Sequence, residues 1–178
     1  SDPLYVGPKG EQTMEILQRE GSRRVFEPIS KKMMPFTQAL SDVLKFLELA
    51  DDAKVEDRGR ERPGISMIPF HESGKTAVAD ESAELNAVGV GVSQVLPVIM
   101  QCLLAAPGRS VVIIEQPELH LHPRLEQKLA DFFLACVASG RQVIIETHSE
   151  HLINRLRLRI AQDSDDVLRK IVKFVFAE

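Results

Sequence analysis

The sequence predicts an α/β fold layered around a parallel sheet, and three observations carry that expectation. Val111-Val112-Ile113-Ile114 and Val143-Ile144-Ile145 are unbroken β-branched runs without alternation, as suits strands covered on both faces. Each run ends in polar chemistry, Glu115-Gln116 in the first and Glu146-Thr147-His148-Ser149 in the second. Helical patterns lie between and after them, and strands alternating with helices define a layered α/β architecture. The carboxyl ends of such strands are where open α/β sheets place their ligands.

Taken in order, residues 11–20 and 36–50 read as helices. The second sets Phe36, Leu40, Val43, Leu44 and Leu47 on one face, with Pro35 near its start. Residues 51–64 mix acids and bases and end in Pro63-Gly64, an exposed connector or a short edge strand. Residues 65–70 and 75–79 read as a hairpin around His71-Glu72-Ser73-Gly74. Residues 94–106 are almost wholly apolar, so a deeply buried helix is expected, with Ser93 as N-cap and Pro97 near the first turn. Pro123 suits the first position of the next helix, whose stripe is Leu125, Leu129, Phe132, Phe133, Cys136 and Val137. Arg124, Glu126, Lys128 and Asp131 are expected to face away, and Gly140 to stop the helix. A further helix at 149–161 turns Leu152, Ile153, Leu156 and Ile160 inward, and 171–176 reads as a closing strand.

At 178 residues and 44% hydrophobic, the chain can bury one sizeable core. It divides into a helical and hairpin segment, 1–83, with its charged connector at 51–64, and a core at 84–178. A net charge of −4 offers no bulk attraction to nucleic acid or anionic membrane, so any DNA contact must be local. No apolar run reaches membrane-spanning length and no signal-peptide pattern opens the chain, so a cytoplasmic protein is expected. Cys102 and Cys136 both fall among apolar helical neighbours and read as buried free thiols.

An apolar strand ending in a carboxylate is how a P-loop nucleotidase presents its ligand to Mg²⁺-bound water, which gives Glu115 a metal role and sets Gln116 toward the attacking water. With Gln116-Pro117-Glu118-Leu119-His120-Leu121-His122-Pro123 after the first strand and Glu146-Thr147-His148-Ser149 after the second, the chain resembles the C-terminal half of an ABC/SMC-type ATPase head. It is most similar to prokaryotic AAA ATPases related to the overcoming-lysogenisation-defect (OLD) proteins. Val88-Gly89-Val90-Gly91-Val92-Ser93-Gln94-Val95-Leu96-Pro97 resembles the family's signature loop, and Tyr5-Val6-Gly7-Pro8-Lys9-Gly10-Glu11 matches more loosely.

The resemblance implies ATP and Mg²⁺ as ligands, a homodimer closing on two ATPs, and coupling to an effector such as a nuclease acting on foreign DNA. It assigns Gly91, Ser93 and Gln94 to the γ-phosphate bound by the opposite subunit; a glycine-flanked turn feeding a helix N-terminus is an anion site on physical grounds as well. His120 and His122 fall in the D-loop, which reaches across to the partner. His148 becomes the switch histidine, able to donate to the γ-phosphate. Those histidines with His151 also compose a zinc alternative.

Gln116 departs from the usual glutamate: it accepts a hydrogen bond but takes no proton at neutral pH, so turnover is expected to be slow unless Glu118 or the substrate itself supplies the base. A phosphate loop of the form G-x-x-x-x-G-K-[ST] is missing. The nearest candidate, Ser73-Gly74-Lys75-Thr76, has Pro69 where the first glycine belongs. The expectation is therefore a half-fold lacking the Walker A strand, loop and helix, inactive alone and an ATPase when complete. A non-hydrolysing interaction module is the alternative. Arg155, Arg157, Arg159, Arg169 and Lys170 make a modest basic face, read as solvated surface ahead of a nucleic-acid contact.

Overall fold

The computed structural model describes residues 12–56, 64–69, 83–84 and 90–176, of which 50–56, 64–69, 83–84 and 90–92 are described by backbone alone. The Gly74 loop and residues 5–11 lie outside the described residues.

Helix α1, Thr13–Glu20, buries Ile16 and Leu17 and leads into the antiparallel hairpin of β1, Arg24–Glu27, and β2, Lys32–Pro35. Glu27 organises the hairpin turn: its buried carboxylate accepts from the amides of Ile29 at 2.7 Å and Ser30 at 2.5 Å. Pro35, in extended conformation, starts α2, Phe36–Phe46, which buries the expected stripe of Phe36, Leu40, Val43 and Leu44, with Leu47 beneath its end.

The charged segment after α2 takes the strand option. β3, Ala50–Glu56, pairs antiparallel with β4, Gly64–Pro69, and β4 pairs on its other side with β5, Ala83–Glu84. The expected partner of 65–70 in a hairpin, residues 75–79, lies outside the described residues; among the described ones β4 pairs with β3 and β5.

Helix α3 spans Val90–Leu104, which corrects two expectations. Ser93 is not an N-cap but lies within the first turn together with Gly91, and Pro97 sits in the helix interior, where it removes one i→i−4 bond. The helix extends upstream because Val90 and Val92 continue its apolar run. Val95, Leu96, Ile99, Met100, Cys102 and Leu103 are all buried.

β6, Val111–Glu115, and β7, Gln142–Glu146, form the parallel pair, joined through α4, Pro123–Ala138, with Val111 opposite Gln142 and Glu115 opposite Glu146. Paired residues of neighbouring strands share a face. Val112 and Ile114 point into the core, whereas Val111, Ile113 and Ile144 are 53%, 71% and 48% exposed. The expectation of strands covered on both faces is corrected here: helices pack on one side, and no described element covers the other.

α4 begins with Pro123 at N1 behind His122, whose Nδ1 accepts from the Arg124 amide at 3.3 Å. It ends where Gly140, at φ +89°, takes the left-handed conformation that only glycine adopts freely. Leu129, Phe132, Phe133 and Cys136 are buried as expected, but so is Glu126, and Asp131 is half-buried between two arginines. Ser149 caps α5, Glu150–Gln162, accepting from the Leu152 amide at 3.0 Å. The closing strand does not form: α6, Val167–Ile171, takes the start of that segment, and residues 172–176 have no ladder partner among the described residues. The segment is apolar except for Lys173, yet Val175 and Phe176 are 93% and 67% exposed, so no described neighbour rewards strand pairing. One continuous core joins α1, α2, α3, β6, α4 and Leu152 of α5.

Candidate functional site

The carboxyl ends of β6 and β7 lie side by side, and the chain turns sharply at each. At Gln116 the backbone passes into the left-handed region, φ 45°, held by its amide donating to the Glu146 carbonyl at 2.8 Å. Two turn hydrogen bonds, Leu119 N–H to the Gln116 carbonyl and Leu121 N–H to the Glu118 carbonyl, then fold 116–121 back toward α4. His120 also has positive φ, 62°. Strained backbone of this kind persists where surroundings over-determine it, and it clusters at functional sites.

This turn delivers Glu118 to the neighbouring strand end. Its Oε1 accepts from the His148 amide at 2.8 Å, while Oε2 is sealed from solvent with no partner among the described residues. One residue on, Ser149 Oγ donates to Glu126 Oε2 of α4 and its amide meets Thr147 Oγ1 at 3.0 Å. The structure therefore brings Glu115, Gln116, Glu118 and His148 to one edge, with Glu115, Glu146 and the His148 side chain exposed there. Glu115 and Glu146 are register partners on the open face, two hard oxygen donors of the type Mg²⁺ prefers, so the residues fit such an ion.

Gly91, Ser93 and Gln94 belong to a different element. The 105–110 link joins the end of α3 to the start of β6, against which α3 packs, so the first turn of α3 lies toward the opposite end from that link. Ser93 and Gln94 are exposed. His122 is exposed and serves locally as the α4 cap. Among the described residues no three His, Cys, Asp or Glu side chains converge to hold a metal, which leaves the zinc alternative without a ligand set.

Sequence reasoning missed Glu126 and Thr147. The spacing of Glu126, Leu129, Ala130 and Phe133 places Glu126 on the buried stripe, and that signal was available. The basic face also shrinks. Arg155 and Arg159 both bind Asp131, at 2.7 and 2.8 Å, and Arg157 stacks over Phe174 with 5.8 Å to the ring centre.

The profile of the AAA ATPase domain matches residues 10–153, four-fifths of the chain. The chain belongs to that family. This chain is similar in fold to two solved structures. One, from work on ATP-driven dimerization and DNA-stimulated activation of SMC ATPases, superposes with a TM-score of 0.53 at 13% identity, over 67% of this chain and 71% of the other. The SmcHead bound to the C-winged helix domain of ScpA gives 0.52 at 13% identity over 84% of this chain, which spans 41% of that longer one. At such identity the likeness establishes the fold alone, an α/β fold with a parallel sheet and flanking helices similar to that of SMC ATPase heads. No curated protein matches this chain. No described helix is long and apolar enough to cross a membrane.

Proposed function

We propose that this chain supplies the signature, Walker B and switch elements of an ABC/SMC-type ATPase that closes as a homodimer on ATP. The observation that carries the reading is the β6–β7 register, which sets Glu115 and Gln116 beside the turn bearing His148. In this reading Glu115 holds the Mg²⁺-bound water and Gln116 accepts a hydrogen bond from the attacking water. His148 donates to the γ-phosphate, whose developing charge a preorganised donor stabilises. Mg²⁺, when bound, neutralises charge on the phosphate oxygens. Gly91, in the first turn of a fifteen-residue helix, offers its amide and the positive helix end to the nucleotide of the partner subunit, with Ser93 and Gln94 just behind it and His122 at the same interface. The likeness of the strand-end motifs to OLD-related proteins supports coupling to a nuclease or other DNA-directed effector.

Gln116 favours a second reading, an interaction module that retains the half-fold without hydrolysis, because an amide takes no proton. One substitution separates the two. With Gln116→Glu in the full-length protein, ATP hydrolysis rises by about a hundredfold if a missing general base limits turnover. A rate unchanged by the substitution removes Gln116 as the limiting residue, and no hydrolysis in either form supports the interaction module.

A further inference from the structure

We propose that Glu118 and Glu126 are positioning residues for His148, gripping the 147–149 turn from two sides, and that Glu118 is not the proton acceptor that Gln116 lacks. The inference rests on the reading of His148 as the γ-phosphate contact.

Glu118 reaches across from the turn after β6 and commits Oε1 to the His148 amide at 2.8 Å. A carboxylate bonded to a backbone amide is a charge-assisted contact, stronger than a neutral one and directional. The other oxygen, Oε2, is sealed from solvent. A general base must meet the water it deprotonates within hydrogen-bond reach. Here one oxygen is occupied by the switch turn and the other is closed to water, so Glu118 is placed to hold the turn.

Glu126 holds the next residue. It projects from the first turn of α4, is buried, and accepts the hydroxyl hydrogen of Ser149. The same Ser149 oxygen accepts from the Leu152 amide at 3.0 Å, so the acid reaches the positive end of α5 through the cap. His148 is thus fixed by its own amide and by its successor, while its imidazole remains exposed. A donor whose backbone is locked and whose side chain is presented is preorganised, and displacements near 1 Å can cost about a hundredfold in rate.

The test uses the full-length protein with Glu118→Gln, Glu118→Ala, Glu126→Gln and His148→Ala, followed by ATP hydrolysis and by amide hydrogen exchange of segments covering 147–152. Glutamine at 118 keeps a carbonyl oxygen for the His148 amide. The expected result is kcat close to the parent for Glu118→Gln and a loss of tenfold to about a hundredfold for Glu118→Ala, with KM for ATP little changed. Faster exchange at 148 should accompany the alanine variant alone. Glu126→Gln should likewise retain the contact with Ser149 and protect the cap. A fall in kcat as deep for Glu118→Gln as for Glu118→Ala, with exchange at 148 unchanged, overturns the proposal in favour of the carboxylate as base. If His148→Ala leaves kcat unchanged, the phosphate role of His148 fails, and the exchange data still decide whether the two acids grip the turn.

Discussion

Gln116 occupies a conformation that a non-glycine residue adopts at a cost of about 1–2 kcal/mol, φ 45°, at the point where β6 gives way to the site. Glycine there removes that strain but adds chain entropy to the unfolded state, so Gln116→Gly should gain up to about 1 kcal/mol in denaturant unfolding. Gln116→Val, branched at Cβ, should lose about 1 kcal/mol or more in the same measurement. A glycine variant less stable than the parent means that the side chain's own contacts outweigh the strain. Single residues were legible in the sequence where their chemistry is local: Pro123 and Ser149 announced their helix ends, and Gly140 its helix stop. The contacts of Glu118 and Glu126 were not, because nothing in 118–126 names the partners, His148 and Ser149, that only the fold brings near.

Between elements, the joint of α4 and α5 turns on Asp131. Arg155 and Arg159 both donate to it, and Asp131 is 12% exposed. Burial raises the Asp131 carboxyl, but the hydrogen bonds from Arg159 and Arg155 outweigh it and hold the group below its ordinary range. Asp131→Asn should cost about 1–2 kcal/mol at neutral pH. A depressed folded pKa gives stability that is present above the unfolded value and lost as pH falls through the folded one. The gap between parent and variant in thermal melting should therefore be full above about pH 4 and close below it. A gap independent of pH makes packing, not charge, the cause. The helices and strands around this joint were legible from apolar spacing alone. The 171–176 strand was not, since an apolar run by itself specifies no neighbour to pair with, and α3 began early because apolar Val90 and Val92 extend a helix as readily as a strand.

For the molecule as a whole, Arg141 is the keystone. At 2% exposed, its guanidinium donates to the carbonyl of Leu103 in the last turn of α3 at 3.4 Å, to that of Ala105 just beyond it at 2.8 Å, and to that of Phe26 of β1 at 2.8 Å. It ties the N-terminal hairpin, the end of α3 and the start of β7 together. Lysine has one ammonium where these carbonyls require a planar fork, so Arg141→Lys should cost about 3 kcal/mol in unfolding free energy. A loss under 1 kcal/mol would show that the carbonyls find other donors. Beneath it, the Cys102 thiol is pushed well above its ordinary value by its hydrogen bond with Cys136, with burial adding to that. Both thiols should resist alkylation until the chain unfolds, so labelling kinetics that track unfolding confirm the core, and rapid labelling under native conditions contradicts it.

The bare side of the β6–β7 pair supplies a gauge of context. Ile113, 71% exposed, contributes little burial within this chain, so Ile113→Lys should be close to neutral wherever these residues stand by themselves. Any penalty the same change incurs in a longer or assembled form measures the cover that form provides, at about 25 cal/mol for each Å² of apolar surface it hides. Tolerance to substitution at one position then reports the completeness of the whole.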